Sequence, residues 1–573
     1  MIKTELQKEI PLLLQKITPQ ADLSLMMKDE NFHIFMEALR SVDAFSMTLI
    51  EDLPKGLSNK AVSLLRRLRS AYALPAGQFF ILVRQLAEEI IPEKSEDWQQ
   101  LSETALHHTE SNTNISKLLL QYSENKEVIE LLNDLEVHDP HAIYPTSPYR
   151  TSTGKVNSNE NHSHIEAVMS TSTMTEIHIE EGILDHDNTI LRDLYKPLGK
   201  CICVIDSNVQ EYFGDEVIAY FEHHNIEIKP LVYRAMEIDK GIHMVEKLLA
   251  DFKRLGVSRQ EPVLIVGGGV IADIGGLACA LYHRNTPYVM LATSIVSGID
   301  AGPSPRTCCD GFGFKNLFGS YHAPVLTLTD RTFFKTLRTG WIRHGVAEII
   351  KMASVKNEEL FDLLEETGIE LVNSQFGLDT DNKELSDKAN RILALSMCSY
   401  VEAEYDNLYE THQCRPHAFG HTWSPGYEIP SGMLHGHAVG CGMGFGAHLS
   451  YLQGWISEEE RDRILKLISD FELSLWHPIL DDTELIYKGQ VKVIEKRGGN
   501  LVAPLPKGKI GECGYLNRLT FEELQKAMAG YKAICETYPR QGLGVESHCS
   551  EVGLEDPSTV AYSPLLEAEM AKV

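Results

Sequence analysis

Pro262-Val263-Leu264-Ile265-Val266-Gly267-Gly268-Gly269-Val270-Ile271-Ala272-Asp273 is the stretch that decides the fold. Val263–Val266 is a short apolar run bounded by proline and glycine, the pattern of a strand buried on both faces. Three glycines follow, and an apolar helix-length run resumes at Ile274–Leu281. A strand that ends in glycines and opens a helix lets the backbone approach an anion without side-chain obstruction. The N–H groups at the helix start then favour that anion, here the pyrophosphate of a dinucleotide.

The pattern extends outward from this turn. Lys200–Asp206 is a second apolar run, closed by an acid, and a helical pattern follows over Val217–His223. Ile226–Val232 reads as another strand, with Pro230 restricting it to a sheet edge or end. Residues 241–255 form an amphipathic helix. Such alternation predicts a parallel sheet with helices on both faces over 175–330. From 331 to 545 the periodicity is helical, at Phe334–Leu337, Val346–Met352, Leu360–Leu364, Ile392–Tyr405 and Glu458–Leu467. The expected architecture is therefore an α/β dinucleotide domain followed by an α-helical domain. An N-terminal helical extension of unknown role precedes them over 1–144. Residues 145–174, rich in Ser, Thr, Asn and His, read as a linker, and 546–573 as a flexible tail.

Composition narrows the function. Lys+Arg total 53 against 81 Asp+Glu, a net charge of −28, which argues against a nucleic-acid partner. No run approaches the ~20 apolar residues of a membrane span, and the N-terminus has too many charges for a signal peptide. The 11 cysteines have no framework spacing and read as reduced thiols of a cytoplasmic protein. The vicinal Cys308–Cys309 pair reads as packing or pocket-lining thiols.

The candidate ligands follow from chemistry. Asp206 closes a strand where a carboxylate can accept ribose hydroxyls. Glu237 and Lys240 stand before a helix and suit the adenosine end. Asp273, four residues past the last glycine, is either a helix-capping acid or a polar contact to the nicotinamide ribose or substrate. Glu348, with Lys351 one turn on, joins His421 and His435 as a Glu/His/His set with room for a further ligand, which suits Zn2+, with Co2+ also possible.

Over about 175–540 these motifs, in order, resemble the sugar phosphate cyclases, the dehydroquinate-synthase superfamily. The matching segments are Gly267–Asp273, Tyr282-His283-Arg284, Asp300 with Arg306, Lys315 and Asn316, Phe333–Leu337, Glu348 with Lys351, and His421 with His435. The resemblance implies NAD held by Asp206, Asn208, Glu237, Lys240, Gly268, Gly269, Val270, Asp273, Thr293, Ser294, Lys315, Phe333, Thr336 and Leu337. It implies a metal on Glu348, His421 and His435, and a substrate site drawn from Lys315, Asn316, Lys351, Arg284, Asp300, Arg306, Arg415 and Lys507. It also implies a homodimer acting on a small sugar phosphate. The expected chemistry is transient oxidation by NAD+, phosphate elimination, reduction and aldol closure. His421-Thr422-Trp423-Ser424-Pro425 and His435-Gly436-His437 resemble the C7-cyclitol branch, which uses sedoheptulose 7-phosphate. The leading product is 2-epi-5-epi-valiolone. 2-epi-Valiolone, demethyl-4-deoxygadusol, 3-dehydroquinate and a metal-dependent polyol dehydrogenase are the alternatives. Arg306 stands where the superfamily has lysine; guanidinium clamps an oxyanion but does not serve readily as a base.

Overall fold

The computed structural model describes Ala61 and residues 150–312, 314–549 and 551. Apart from Ala61, the expected helical extension lies outside them. β1 (Arg150–Ser158) and β2 (Ile165–Thr173) form an antiparallel hairpin, so most of the stretch expected to be a linker is sheet. Its Thr and Val content suits strands, and the hairpin end is closed by hydrogen bonds between Asn159 and His164. Val156, Ile165, Val168 and Met169 remain exposed, so the hairpin buries little.

β3 (Glu176–Ile179), β4 (Lys200–Asp206), β5 (Glu227–Tyr233), β6 (Val263–Gly267), β7 (Tyr288–Ala292) and, beyond a hairpin of β8 (Arg306–Gly311) and β9 (Phe314–Tyr321), β10 (Leu326–Thr329) follow in sequence. The parallel sheet has the order β3-β10-β7-β6-β4-β5. Pro230 therefore lies on an edge strand, as its missing N–H requires.

The strand period of two is visible in the packing. Cys201, Cys203, Ile205, Leu264, Val266, Val289 and Leu291 enter one buried cluster; Ile202, Val204, Val263, Ile265, Tyr288 and Met290 enter the other. The second cluster is completed by α2 (Ile242–Leu255) and α3 (Gly269–Leu281); α1 (Ser207–His223) covers the first face with Val217, Tyr220 and Phe221. That first cluster runs without a break into the helical half, so the sheet and the helices share one core.

The helical half contains α4 (Thr339–Lys356), α5 (Glu358–Thr367), α6 (Lys383–Tyr405), α7 (His435–Leu452), α8 (Glu458–Asp470), α9 (Thr483–Lys496) and α10 (Phe521–Cys535). It also holds an antiparallel pair, β11 (Ala503–Lys507) and β12 (Lys509–Leu516), not foreseen from periodicity. The helices α4 and α7 meet where a Cβ on Gly436 would lie 2.8 Å from the His344 backbone. Only glycine permits that approach, and it brings the start of α7 against the middle of α4.

The tail departs from expectation at its beginning. Ser547 is buried, Glu546 pairs with Arg343, and His548 bridges Met433. Residues 546–549 are docked, because backbone hydrogen bonds outweigh the polar composition that suggested a loose chain.

Leu264 lies in β6 with no exposed surface and packs toward the helical half. Leu264→Ala is expected to cost about 2–5 kcal/mol, measured by urea denaturation. A loss under about 0.5 kcal/mol would contradict a shared core.

Candidate active site

The carboxyl ends of the parallel strands build the first half of the site. The chain runs outward from β4 to β5 and then returns to place β6 on the other side of β4. A crevice opens at such a reversal, and Asp206 and Gly267 stand on its two sides. Gly267 has φ 156°, and a Cβ there would lie 2.4 Å from Ile271 Cγ2 and 3.1 Å from Asp206 Cβ. The positive end of α3 faces this crevice. Gly268 precedes α3, and Gly269 and Val270 open it.

The Asp206 carboxylate also caps α1, accepting from Asn208 N at 2.9 Å. Thr293 N donates to Gly267 O at 3.1 Å, and Ser294 Oγ meets Ser297 Oγ at 3.0 Å, so both residues follow β7 into the same crevice. Phe333 is buried against Phe213; its side chain serves the core. Thr336 and Leu337 lie beyond it at the end of a short helical turn.

Asp273 is not a cap. It pairs with Lys240 Nζ at 2.7 Å. Lys240 also donates to Asn316 Oδ1 at 2.8 Å, and its carbonyl accepts from Asp310 N at 2.7 Å. Burial disfavours the Lys240 charge, but Asp273 and Glu237 outweigh it and hold the ammonium well above its ordinary range. The β8–β9 hairpin is thereby tied to the glycine turn.

The second half is a cluster on α4, α7 and the loop before α7. Among the described residues, Glu348, His421 and His435 place one ligand atom each within 4.8 Å of one another. His435 Nε2 is 3.2 Å and His421 Nε2 3.7 Å from Glu348 Oε1, and the two Nε2 atoms are 3.2 Å apart. His421 Nδ1 faces Phe419 O at 3.2 Å, and His435 Nδ1 faces Glu428 Oε2 at 3.0 Å. An Nδ1–H donated to each acceptor leaves both Nε2 lone pairs aimed at one point beside Glu348. The donor set fits a divalent transition metal with an open position.

Charge accounts for the arrangement. Glu348 is 1 % exposed. Burial works against its ionisation, but Lys351 and the two imidazoles hold the carboxyl well below its ordinary range. Tyr400 OH donates to Glu348 Oε2 at 2.9 Å, and Lys351 pairs with the same oxygen. Burial opposes a charge on His435, yet Glu428 and Glu348 raise it to about 10; burial and Lys351 lower His421 to about 3. A proton on His435 supplies the cation that Glu428 and Glu348 demand, and a metal held by Glu348, His421 and His435 would take its place.

Between the halves lies a third group. Arg306 pairs with Glu404, lies 3.5 Å from Asp300 and 3.7 Å from Glu410. Burial opposes its charge, and those carboxylates outweigh burial. Arg415 pairs with Glu410 at 2.7 Å. Glu404, the most buried of the three acids, is pushed up to about 7 by burial, with Arg306 opposing. His417 is buried with neither ring nitrogen hydrogen-bonded, and its Nε2 lies 4.0 Å from Glu404. Lys351 Nζ, 3.9 Å from Asp300, joins this group to the metal cluster.

Two expected residues are elsewhere. Arg284 is exposed beyond the far end of α3, a 13-residue helix that spans roughly 20 Å from the glycine turn. Lys507 lies over the Trp455 ring. Trp455 follows the C-terminal end of α7, roughly 27 Å along the helix axis from His435. Lys315, expected on substrate and cofactor, bridges Glu237 at 3.2 Å and Glu428 at 3.0 Å. Glu428, Glu404, Glu410, His417 and Tyr400 were missed. Except for His417, each acts through a partner in another element; only Glu428, midway between His421 and His435, had a positional signal.

Comparison with known proteins supports the same reading. Residues 231–344 match the model of the 3-dehydroquinate synthase N-terminal region, and 345–490 that of its C-terminal region. The demethyl-4-deoxygadusol synthase of Trichormus variabilis is 38% identical over 368 residues, covering 64% of this chain and 89% of that protein. A 2-epi-5-epi-valiolone synthase of an Actinoplanes species is 36% identical over 327 residues, covering 56% and 81%. The structure of ValA, the 2-epi-5-epi-valiolone synthase of Streptomyces hygroscopicus subsp. jinggangensis, with NAD+ and Zn2+ bound, matches at TM-score 0.59 and 32% identity, covering 63% of this chain and 98% of ValA.

Glu428→Gln is expected to weaken binding of a divalent metal about 10-fold or more by loosening His435, read by chelator competition; unchanged affinity would show that Glu428 does not orient the ring. Glu404 generates a pH dependence. Its folded value lies above the ordinary 4.5, so between about 4.5 and 7 the folded state holds a proton that the unfolded chain has lost. Stability from this group falls as pH rises through that window. Glu404→Gln should flatten the decline, measured by denaturant midpoints at pH 5 and 7.5; an unaltered slope would contradict the shift.

Proposed function

Because the chain belongs to the dehydroquinate-synthase-like sugar phosphate cyclases, we propose that it cyclises sedoheptulose 7-phosphate with release of phosphate, using NAD and a divalent metal, Zn2+ or Co2+. The observation that carries this reading is the convergence of Glu348 Oε1, His421 Nε2 and His435 Nε2 beside Lys351. Asp206, Gly268, Gly269 and Lys240 supply the cofactor crevice. The family resemblance makes a homodimer the assembly to test for.

The acidic partners support a substrate without a carboxylate. Arg306 and Arg415, the guanidiniums best placed to clamp one, are already matched by Glu404 and Glu410. A substrate carboxylate would have to displace a buried ion pair, whereas hydroxyls can meet His417 and the outer oxygens of the acids without that cost. This favours a polyol end over the shikimate-type substrate.

NAD, when bound, supplies a reversible hydride acceptor, and the metal polarises a substrate oxygen. The protein's own residues do the rest. Lys351 holds an ammonium between the ligand carboxylate and Asp300, where it stabilises negative charge on a nearby substrate oxygen. Asn316 and Lys315 line the approach from the hairpin and are the phosphate candidates. Lys240, fixed by Asp273, keeps the glycine turn and hairpin together. Arg306, always protonated and matched by its acids, does not serve as a base; the family resemblance points to the leaving phosphate for that role.

The favoured product is demethyl-4-deoxygadusol, on the higher identity to the Trichormus protein. The second reading, 2-epi-5-epi-valiolone, is favoured by the likeness to ValA. Incubation with sedoheptulose 7-phosphate, NAD+ and Zn2+ is expected to release one phosphate per substrate, with no net NADH and an enolic, UV-absorbing product. A saturated product would move the assignment to the valiolone. Net NADH without phosphate would contradict a cyclase and favour a polyol dehydrogenase.

A further inference from the structure

The C-terminal segment that composition marks as loose makes its best contacts beside the metal cluster. Its base is fixed where Leu475 N and Trp476 N both donate to Gly542 O, at 2.7 and 3.0 Å. Gly544 N then donates to Ser474 Oγ at 2.9 Å, and Val545 N to Glu472 O at 2.9 Å. Glu546 Oε2 reaches Arg343 Nη1 at 3.0 Å, while Glu472 Oε2 takes Arg343 Nη2 at 2.6 Å. Ser547 O accepts from Leu434 N at 2.8 Å, and His548 pairs with Met433 as an antiparallel bridge.

These attachments have a common destination. Arg343 is on α4, five residues before Glu348. Leu434 is the residue immediately before His435, which opens α7. The segment therefore grips the elements that carry two of the three proposed ligands. Arg343 is 3 % exposed, so its two carboxylates are the compensation that lets a guanidinium be buried there. Loss of Glu546 leaves that charge half matched on the ligand helix. Loss of the Leu434–Ser547 bond frees the last residue before His435, whose ring must stay aligned between Glu428 and Glu348. Metal ligands held a fraction of an ångström from their working positions lose much of their affinity, because the metal must then order them itself.

We propose that Leu543–Cys549 is a positioning strap for the Glu348/His421/His435 centre, so that metal affinity, and not only the stability of the fold, depends on it. The proposal rests on the reading of that cluster as a metal site.

Gly544 provides the test. A Cβ there would lie 2.5 Å from His437 Nδ1 and 2.6 Å from Glu472 O, inside the buried layer beneath the strap. Gly544→Val should lift the strap; Glu546→Gln, at a partly exposed position, is the milder variant and should leave the fold intact. Full-length proteins are compared by Zn2+ affinity in a chelator competition, NAD+ affinity by fluorescence quenching, and melting of the metal-free form. The expected result is a Zn2+ affinity lowered about 10-fold in Gly544→Val and about threefold in Glu546→Gln, with NAD+ affinity unchanged in both. Equal Zn2+ affinity in Glu546→Gln and wild type would overturn the strap. So would losses of Zn2+ and NAD+ affinity that move together with melting, since those report a structural role alone. If His421→Ala binds Zn2+ as tightly as wild type, the metal reading itself fails and the strap with it.

Discussion

A carboxylate held almost out of contact with water is the constraint around which the site is organised. Glu348 lies in the middle of α4, surrounded by the shared core, and an ionised group there is costly unless it is matched. The matching groups come from four directions: Lys351 one turn along, Tyr400 from α6, His421 from the loop, and His435 from the start of α7. Each can reach Glu348 only if its own element is correctly placed. The glycine contact between α4 and α7 and the docking of the C-terminal segment are therefore conditions for a charge-balanced core.

The same logic extends to the nucleotide half. Glu428 holds His435, Lys315 holds Glu428, and Glu237, beyond β5, holds Lys315. Lys240, Asp273 and Asn316 form a parallel tie from the hairpin to the glycine turn. Alternating charges thus connect the proposed cofactor crevice to the proposed metal. They place a group of matched guanidiniums, acids and one unpartnered imidazole between the two, where a polar, hydroxylated molecule would be held.

Local pattern made the sheet readable. β4 and β6 are short apolar runs because both faces are buried, and Gly267, which closes β6, is demanded by its φ and its contact with Ile271. Pro230 named its own strand as an edge. The Glu/His/His set was a candidate on its chemistry, and ordered resemblance singled it out among 23 histidines, which allow many accidental spacings. What escaped was pairing over long sequence distances. Arg306 and Glu404 are 98 residues apart, Lys315 and Glu428 113, and no local pattern announces such pairs. Arg284 matched in sequence but stands beyond the far end of α3, and Lys507 closes β11 over the Trp455 ring. The docked tail was hidden by polar composition, because hydrogen bonds and an ion pair rather than apolar burial hold it in place.

The central claim is that three side chains from separate elements share one metal. X-ray absorption at the zinc edge of the Zn2+-loaded protein, with and without His435→Ala, tests it most directly. The account predicts a first shell of two imidazole nitrogens and carboxylate oxygen, with one imidazole lost in the variant. A sulfur-containing shell, or a wild-type spectrum unchanged by the substitution, would contradict it.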